Sequence, residues 1–156
     1  MKSLSKIETE LSAWNNGKGI NISEWICSVG RYDFFIGYSS LIWPKFSEYK
    51  NRIYISDFFN EDQLNEMLNS GTTPRDAQIF MNSLDLSQIF QYEKENVGDD
   101  VILYLAQTLT ESWTAKLKLD YSTRDIKVVT DNNLDEDGVG ELLISIVENQ
   151  SAEITK

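Results

Sequence analysis

The sequence predicts an α+β fold: N-terminal helices packed on one face of a small antiparallel sheet, with a C-terminal β-meander. Three observations carry this expectation. Apolar residues recur at helical spacing in most segments up to Trp113, whereas Ala115 to Tyr121 alternates strictly and is followed by the apolar, β-branched runs Ile126–Val129 and Leu142–Val147. No Pro/Gly/Ser-rich linker, low-complexity block or fixed-period repeat interrupts the chain, so residues 1–156 are expected to form a single domain.

Ser3 to Trp14 places Leu4, Ile7, Leu11 and Trp14 on one helical face, and Asn15-Asn16-Gly17, residues that tolerate positive φ, ends that helix. Asn21 with Glu24 forms a capping-box pattern before a short helix whose face is Ile22, Trp25, Ile26 and Val29, stopping at Gly30. Arg31 to Ile42 is rich in Tyr, Phe and Ile without a clear period, and Pro44 favours extended backbone at Trp43, so a strand is expected. Asn51 to Ile55 alternates as a short strand. Asn60 and Gln63 cap a helix through Leu64, Met67 and Leu68 to Gly71. Thr73-Pro74 starts the next helix, with a hydroxyl cap and a proline where no donor is needed, and Ala77, Phe80, Met81 and Leu84 are its expected buried side. Asp99 and Asp100 suit the positive end of a long helix over Val101–Trp113. The alternating segment 115–121, a turn over Ser122–Asp125 and the strand Ile126–Val129 then read as a hairpin, to which Leu142–Val147 adds a third strand.

A chain of 156 residues with 41% hydrophobic and 12% aromatic content can bury a core without disulfides or metals. The lone Cys27, among apolar neighbours, is expected to be buried and allows no internal disulfide, which fits a reducing compartment. Met1 to Ala13 lacks the continuous apolar stretch of a signal peptide, and the longest apolar runs are too short to cross a bilayer as helices. A cytoplasmic location and no membrane association are expected. The formal net charge is -11, and residues 95–156 carry 13 acids against 5 bases. Such a charge repels phosphate backbones and disfavours direct nucleic-acid binding, whereas it attracts a basic protein partner over long range.

The chemistry-bearing patterns are mostly exclusions. The absence of histidine removes imidazole acid/base catalysis, Ser-His and Cys-His nucleophile pairs and the usual zinc sites. Asn133, Asp135 and Asp137 match the first, third and fifth positions of a calcium loop with Gly138 sixth, but the twelfth is Ile144 where a bidentate glutamate is required. Gly17-Lys18-Gly19 and Gly138-Val139-Gly140 fail the spacing of phosphate-binding loops. No catalytic residue, metal or cofactor is therefore expected. Asp33 and Glu48, lying among aromatics, are the pair that a carboxylate-based carbohydrate-active enzyme would use. Trp14, Trp25, Trp43 and Trp113 lie on or near apolar faces and are expected in the core.

The stretch Trp14-Asn15-Asn16-Gly17-Lys18-Gly19-Ile20, with Trp25-Ile26, Gly30, Asp33, Ile36-Gly37-Tyr38 and Trp43-Pro44-Lys45-Phe46, resembles the immunity proteins of bacterial toxin/immunity systems over about residues 11–50. The resemblance implies a cytoplasmic protein that binds one cognate toxin, often a nuclease, and blocks it. The acidic residues Asp120, Asp125, Asp131, Asp135, Glu136, Asp137 and Glu141 are the expected partner-facing set, with Tyr121 as the aromatic anchor among them. The alternative is a regulatory adaptor that binds its partner through an aromatic groove around Tyr32, Phe34, Phe35 and Tyr38.

Overall fold

The computed structural model describes residues 5–89, 98–133 and 140–149. The chain divides into two compact units, Met1–Ser39 and Ser40–Lys156.

The first unit is helical. In α1 (Ser5–Gly17) regular helix stops before Trp14, and Asn15 and Asn16 both take left-handed backbone at φ 55°. The amide of Gly19 then donates to Trp14 O (3.0 Å) and that of Ile20 to Leu11 O (3.1 Å), which closes the helix end that the Asn-Asn-Gly triplet marked. The capping box opens α2 (Ile22–Val29): Asn21 Oδ1 accepts from Glu24 N and Glu24 Oε2 accepts from Asn21 N, each at 2.9 Å. Trp25 Nε1 donates to Glu10 Oε1 at 3.0 Å, joining α2 to α1.

Residues 32–42 are helix α3 (Tyr32–Ile42), not the expected strand. Aromatic and β-branched residues cost only about 0.7 kcal/mol or less each in a helix, so a run without period does not by itself specify a strand. Pro44 acts as the local signal indicated, but what its restriction of Trp43 ends is this helix.

The second unit begins within the last turn of α3 and continues with the hairpin β1 (Phe46–Tyr49) and β2 (Arg52–Ile55), whose turn residues Lys50 and Asn51 both have positive φ, the geometry that matches strand twist. Two capped helices follow. Asn60 Oδ1 accepts from Gln63 N (3.0 Å) at the start of α4 (Glu61–Asn69), and Thr73 Oγ1 accepts from Asp76 N (3.1 Å) ahead of α5 (Pro74–Met81). Next come β3 (Leu84–Asp85), α6 (Leu86–Ile89), α7 (Asp99–Asp120), β4 (Ile126–Asn132) and β5 (Leu142–Glu148).

The three-stranded antiparallel sheet has the order β3-β5-β4, with Val128 opposite Ile146 and Asp85 opposite Leu143. The class is α+β, as expected, but the meander needs correction. The segment expected as its first strand is the last two turns of α7, and the third strand is instead β3, from before that helix. The alternation of 115–121 also sets Leu117 four residues after Trp113 and Tyr121 eight after it, which is one helical face, and Ala, Lys and Leu are strong helix formers. Leu117 is buried, whereas Leu119, which a strand would have buried on the same face, is 71% exposed.

The main core joins α7 (Ile102, Ala106, Leu109, Trp113, Leu117) to Ile53 and Ile55 of β2 and to Leu142, Ile144 and Ile146 of β5. Helices α5, α6 and α7 pack on this sheet. Trp113 is fully buried; its Nε1 donates to Leu41 O at 2.7 Å, and Ser112 Oγ donates to Ile42 O. Of the other tryptophans expected in the core, Trp14 and Trp25 are half-buried, and Trp43 is exposed, with Lys116 Nζ 5.6 Å from its ring centre.

A second cluster holds Tyr54, Leu64, Ala77 and Met81. Burial pushes the Tyr54 phenol above its ordinary value of 10.0. The neutral phenol is the form that the fold favours, so this contribution to stability is complete below pH 10 and is lost as pH rises through the raised value. Alkaline unfolding followed by circular dichroism should therefore move to higher pH in Tyr54→Phe.

Candidate functional site

Side chains from distant parts of the chain meet most tightly around Arg124, just ahead of β4. Its Nε donates to Glu148 Oε1 (2.5 Å), its Nη1 lies 3.1 Å from Glu48 Oε2, and its Nη2 donates to Asn51 O (2.5 Å). Burial alone would lower the guanidinium pKa, but hydrogen bonds and charge from Glu148 and Glu48 hold it above its ordinary value. Behind it, Gln78 Oε1 accepts from Arg52 Nη1 (2.9 Å), while Gln78 Nε2 donates to Ile53 O (3.0 Å). Asn82 Nδ2 shares that carbonyl (3.0 Å), and Asn82 Oδ1 accepts from Ile55 N (2.8 Å). Among the described residues no buried side-chain polar atom lacks a hydrogen-bond partner. A network in which each group is satisfied fixes one strand arrangement and leaves no group aimed at a ligand.

The described acids of the set expected to face a partner lie in two groups. Asp120, Tyr121 and Asp125 lie around the start of β4, and Asp131 and Glu141 lie near its far end, about 20 Å away at the rise of a strand. Asp120 is engaged by Lys116 (2.7 Å) and Asp125 by Asn149 Nδ2 (2.9 Å). Tyr121 packs against the main core, and its phenol is pushed up first by burial and then by Asp120, so its ring is partly withdrawn from solvent. Asp131 and Glu141 are exposed. Asp135, Glu136 and Asp137 lie outside the described residues.

The carboxylates of the carbohydrate-enzyme reading are each held by an arginine. Asp33 Oδ2 is 2.5 Å from Arg31 Nη2, a hydrogen bond that lowers its carboxyl below the ordinary range, and Glu48 is paired with Arg124. A general acid needs the opposite shift. Among the described residues no three His, Cys, Asp or Glu side chains gather as a metal would require, and no helix is long and apolar enough to cross a membrane.

The first unit shows a different surface. Neither α2 nor α3 has a buried residue. Ile22, Ile26 and Val29 form an exposed stripe along α2, and on α3 Tyr32, Phe35 and Ile36 share one face at 83, 71 and 60% exposure. Phe34 and Tyr38, one turn apart with ring centres 6.2 Å apart, are exposed as well. Arg31 covers the Phe34 ring at 4.1 Å while paired with Asp33, which leaves the α3 surface close to neutral at this end. Cys27 is exposed on α2, contrary to its expected burial, as no residue of that helix is buried. Helical apolar periodicity marks one face without stating what covers it, so the sequence pattern of α2 fitted an internal face equally well.

A further departure is on α5. Ala77, Gln78 and Met81 are its buried residues, and Phe80 is 57% exposed. Two polar side chains, Gln78 and Asn82, take interior positions because the backbone groups of Ile53 and Ile55 satisfy them, which turns Phe80 outward.

No family model, no curated protein and no solved structure matches this chain.

Proposed function

We propose that this chain is a non-catalytic cytoplasmic protein that binds and neutralises a basic toxin domain, as do the immunity proteins that residues 11–50 resemble. The observation that supports this reading best is the exposure of apolar side chains along α2 and along α3, because apolar surface left in water on a folded protein marks sites of contact. Those helices lie within the segment that carries the resemblance. Aromatic side chains of this kind anchor interfaces, and a net charge of -11 speeds encounter with a basic partner.

The aromatic-groove adaptor is a second reading, favoured by the exposure of Tyr32, Phe34, Phe35 and Tyr38 on one helix. It uses the same surface and differs in the partner. Co-expression with candidate basic toxin domains, beginning with any that a neighbouring gene encodes, separates the two: restored growth supports the immunity reading, and growth arrest that persists despite folded protein supports the adaptor.

Calorimetric titration of the purified pair is the direct test. The wild-type chain should bind more weakly as salt rises, and Phe35→Asp combined with Ile36→Asp should weaken binding by about 100-fold or more, the scale of two anchor residues. Affinity indifferent to both changes would reject this surface.

A further inference from the structure

An open groove of about 420 Å³ runs between α5, α6 and the start of β5, lined by Phe58, Phe80, Met81 and Leu143 and rimmed by Asp85 and Glu141. A second hollow of about 370 Å³ shares Phe58, Ser83, Asp85 and Gln88 with it, so the two form one continuous trough. Its floor belongs to the packed interior: Met81 is in the second core cluster, and Phe58 packs against the main core. Its wall includes the outward-turned Phe80, a large apolar side chain that the fold leaves in water.

Among the described residues the charge around the trough has one sign, and no lysine or arginine lines either hollow. Glu141 forms no ion pair among the described residues, and Asp85 uses Oδ1 for Ser87 N (2.9 Å) and Ser87 Oγ (2.5 Å) while its Oδ2 takes no hydrogen bond among them. The primary amides of Gln63 and Gln88 supply both donors and acceptors, which suits an extended backbone. Anions are repelled here, and with no third carboxylate gathered among the described residues a metal lacks its ligand set.

We infer that this trough docks a basic peptide segment of a protein partner, with an apolar or aromatic side chain seated against Phe80 and Leu143 and flanking cations against Asp85 and Glu141. The inference rests on the chain acting as a partner-binding protein and adds a contact on the second unit that the α2–α3 surface does not supply. Apolar anchoring gives affinity at the centre, while the acidic rim selects the sign of the partner and sets its register.

The test is an NMR titration of the isotope-labelled full chain with an amidated Lys-Arg-Phe-Arg-Lys peptide, using amidated Glu-Asp-Phe-Asp-Glu as the control. The basic peptide should shift the amides of Phe80, Asp85 and Glu141, and the acidic one should not. Phe80→Ala and Glu141→Lys should each weaken binding about tenfold, the loss of one anchor or of one complementary charge. Both side chains are exposed, so both variants should keep the wild-type spectrum elsewhere. No shift at these amides, equal shifts with the acidic peptide, or unchanged affinity in both variants would overturn the inference. Shifts confined to α2 and α3 would overturn it as well, while leaving the proposed function standing. Groove binding that survives alongside indifference of the toxin complex to Phe35→Asp and Ile36→Asp would reject the α2–α3 surface and keep the groove.

Discussion

Trp113→Ala is expected to lower the free energy of unfolding by about 3–5 kcal/mol, the range for removing a large aromatic from a core. Trp113 has no exposed surface and lies on α7 in the cluster shared with β2 and β5. The truncation leaves a cavity among side chains from three elements, and their backbones are fixed by separate hydrogen-bond ladders, so collapse into the space is limited. It also removes the donor to Leu41 O. Trp113→Phe keeps most of the apolar volume and loses that bond, so it should cost about 1–3 kcal/mol. Urea denaturation followed by circular dichroism distinguishes the two, with the midpoint falling in that order. A loss below about 1 kcal/mol in Trp113→Ala would mean that the site is not the centre of the core.

Arg124→Met should have an effect of similar size for an electrostatic reason. Glu148 is 6% exposed, and Arg124 is its one ionic partner among the described residues. Removing the guanidinium leaves a carboxylate with little solvent and no counter-charge, a change that costs about 3–5 kcal/mol in buried pairs. Arg124 is itself partly solvated, so the lower end of that range is expected. Combining Arg124→Met with Glu148→Leu should recover most of the loss, because the stranded charge is then absent. The double-mutant cycle reads this coupling directly, and additive losses in the pair would show that Arg124 stabilises the fold through packing alone.

These effects also indicate what a sequence can reveal. The capping box at Asn21 and Glu24, the Asn-Asn-Gly stop that ends α1 and the Thr73-Pro74 start of α5 were legible because each is set by contacts between residues close in sequence. Segments 32–42 and 115–121 were misread because local pattern permits both states there. A helix won where Leu109, Trp113 and Leu117 align on the core, and Pro44 closed the other helix instead of following a strand. The Arg124 hub had no signal at all. Read locally, Arg124 is a turn residue, and its partners Glu148, Glu48 and Asn51 are 24 to 76 positions away.

The candidate surfaces divide in the same way. The acidic balance was visible by counting, but its separation towards the two ends of β4 depends on strand geometry. The aromatic content of α3 was plain, and its exposure was not, since hydrophobic residues specify burial only when the fold brings something to cover them. Phe80 was assigned to the core because apolar spacing placed it there. Gln78 and Asn82 took the interior instead, bonded to backbone groups that no local pattern indicates.

Hydrogen–deuterium exchange of the full chain, alone and saturated with a basic toxin domain that it binds, tests the binding surface most directly. Slower exchange over residues 22–42 in the complex, with the amides of Arg52–Ile55 unchanged, is the predicted result. Exchange in α2 and α3 that is the same with and without the partner, in a complex shown by calorimetry to be fully formed, would contradict it.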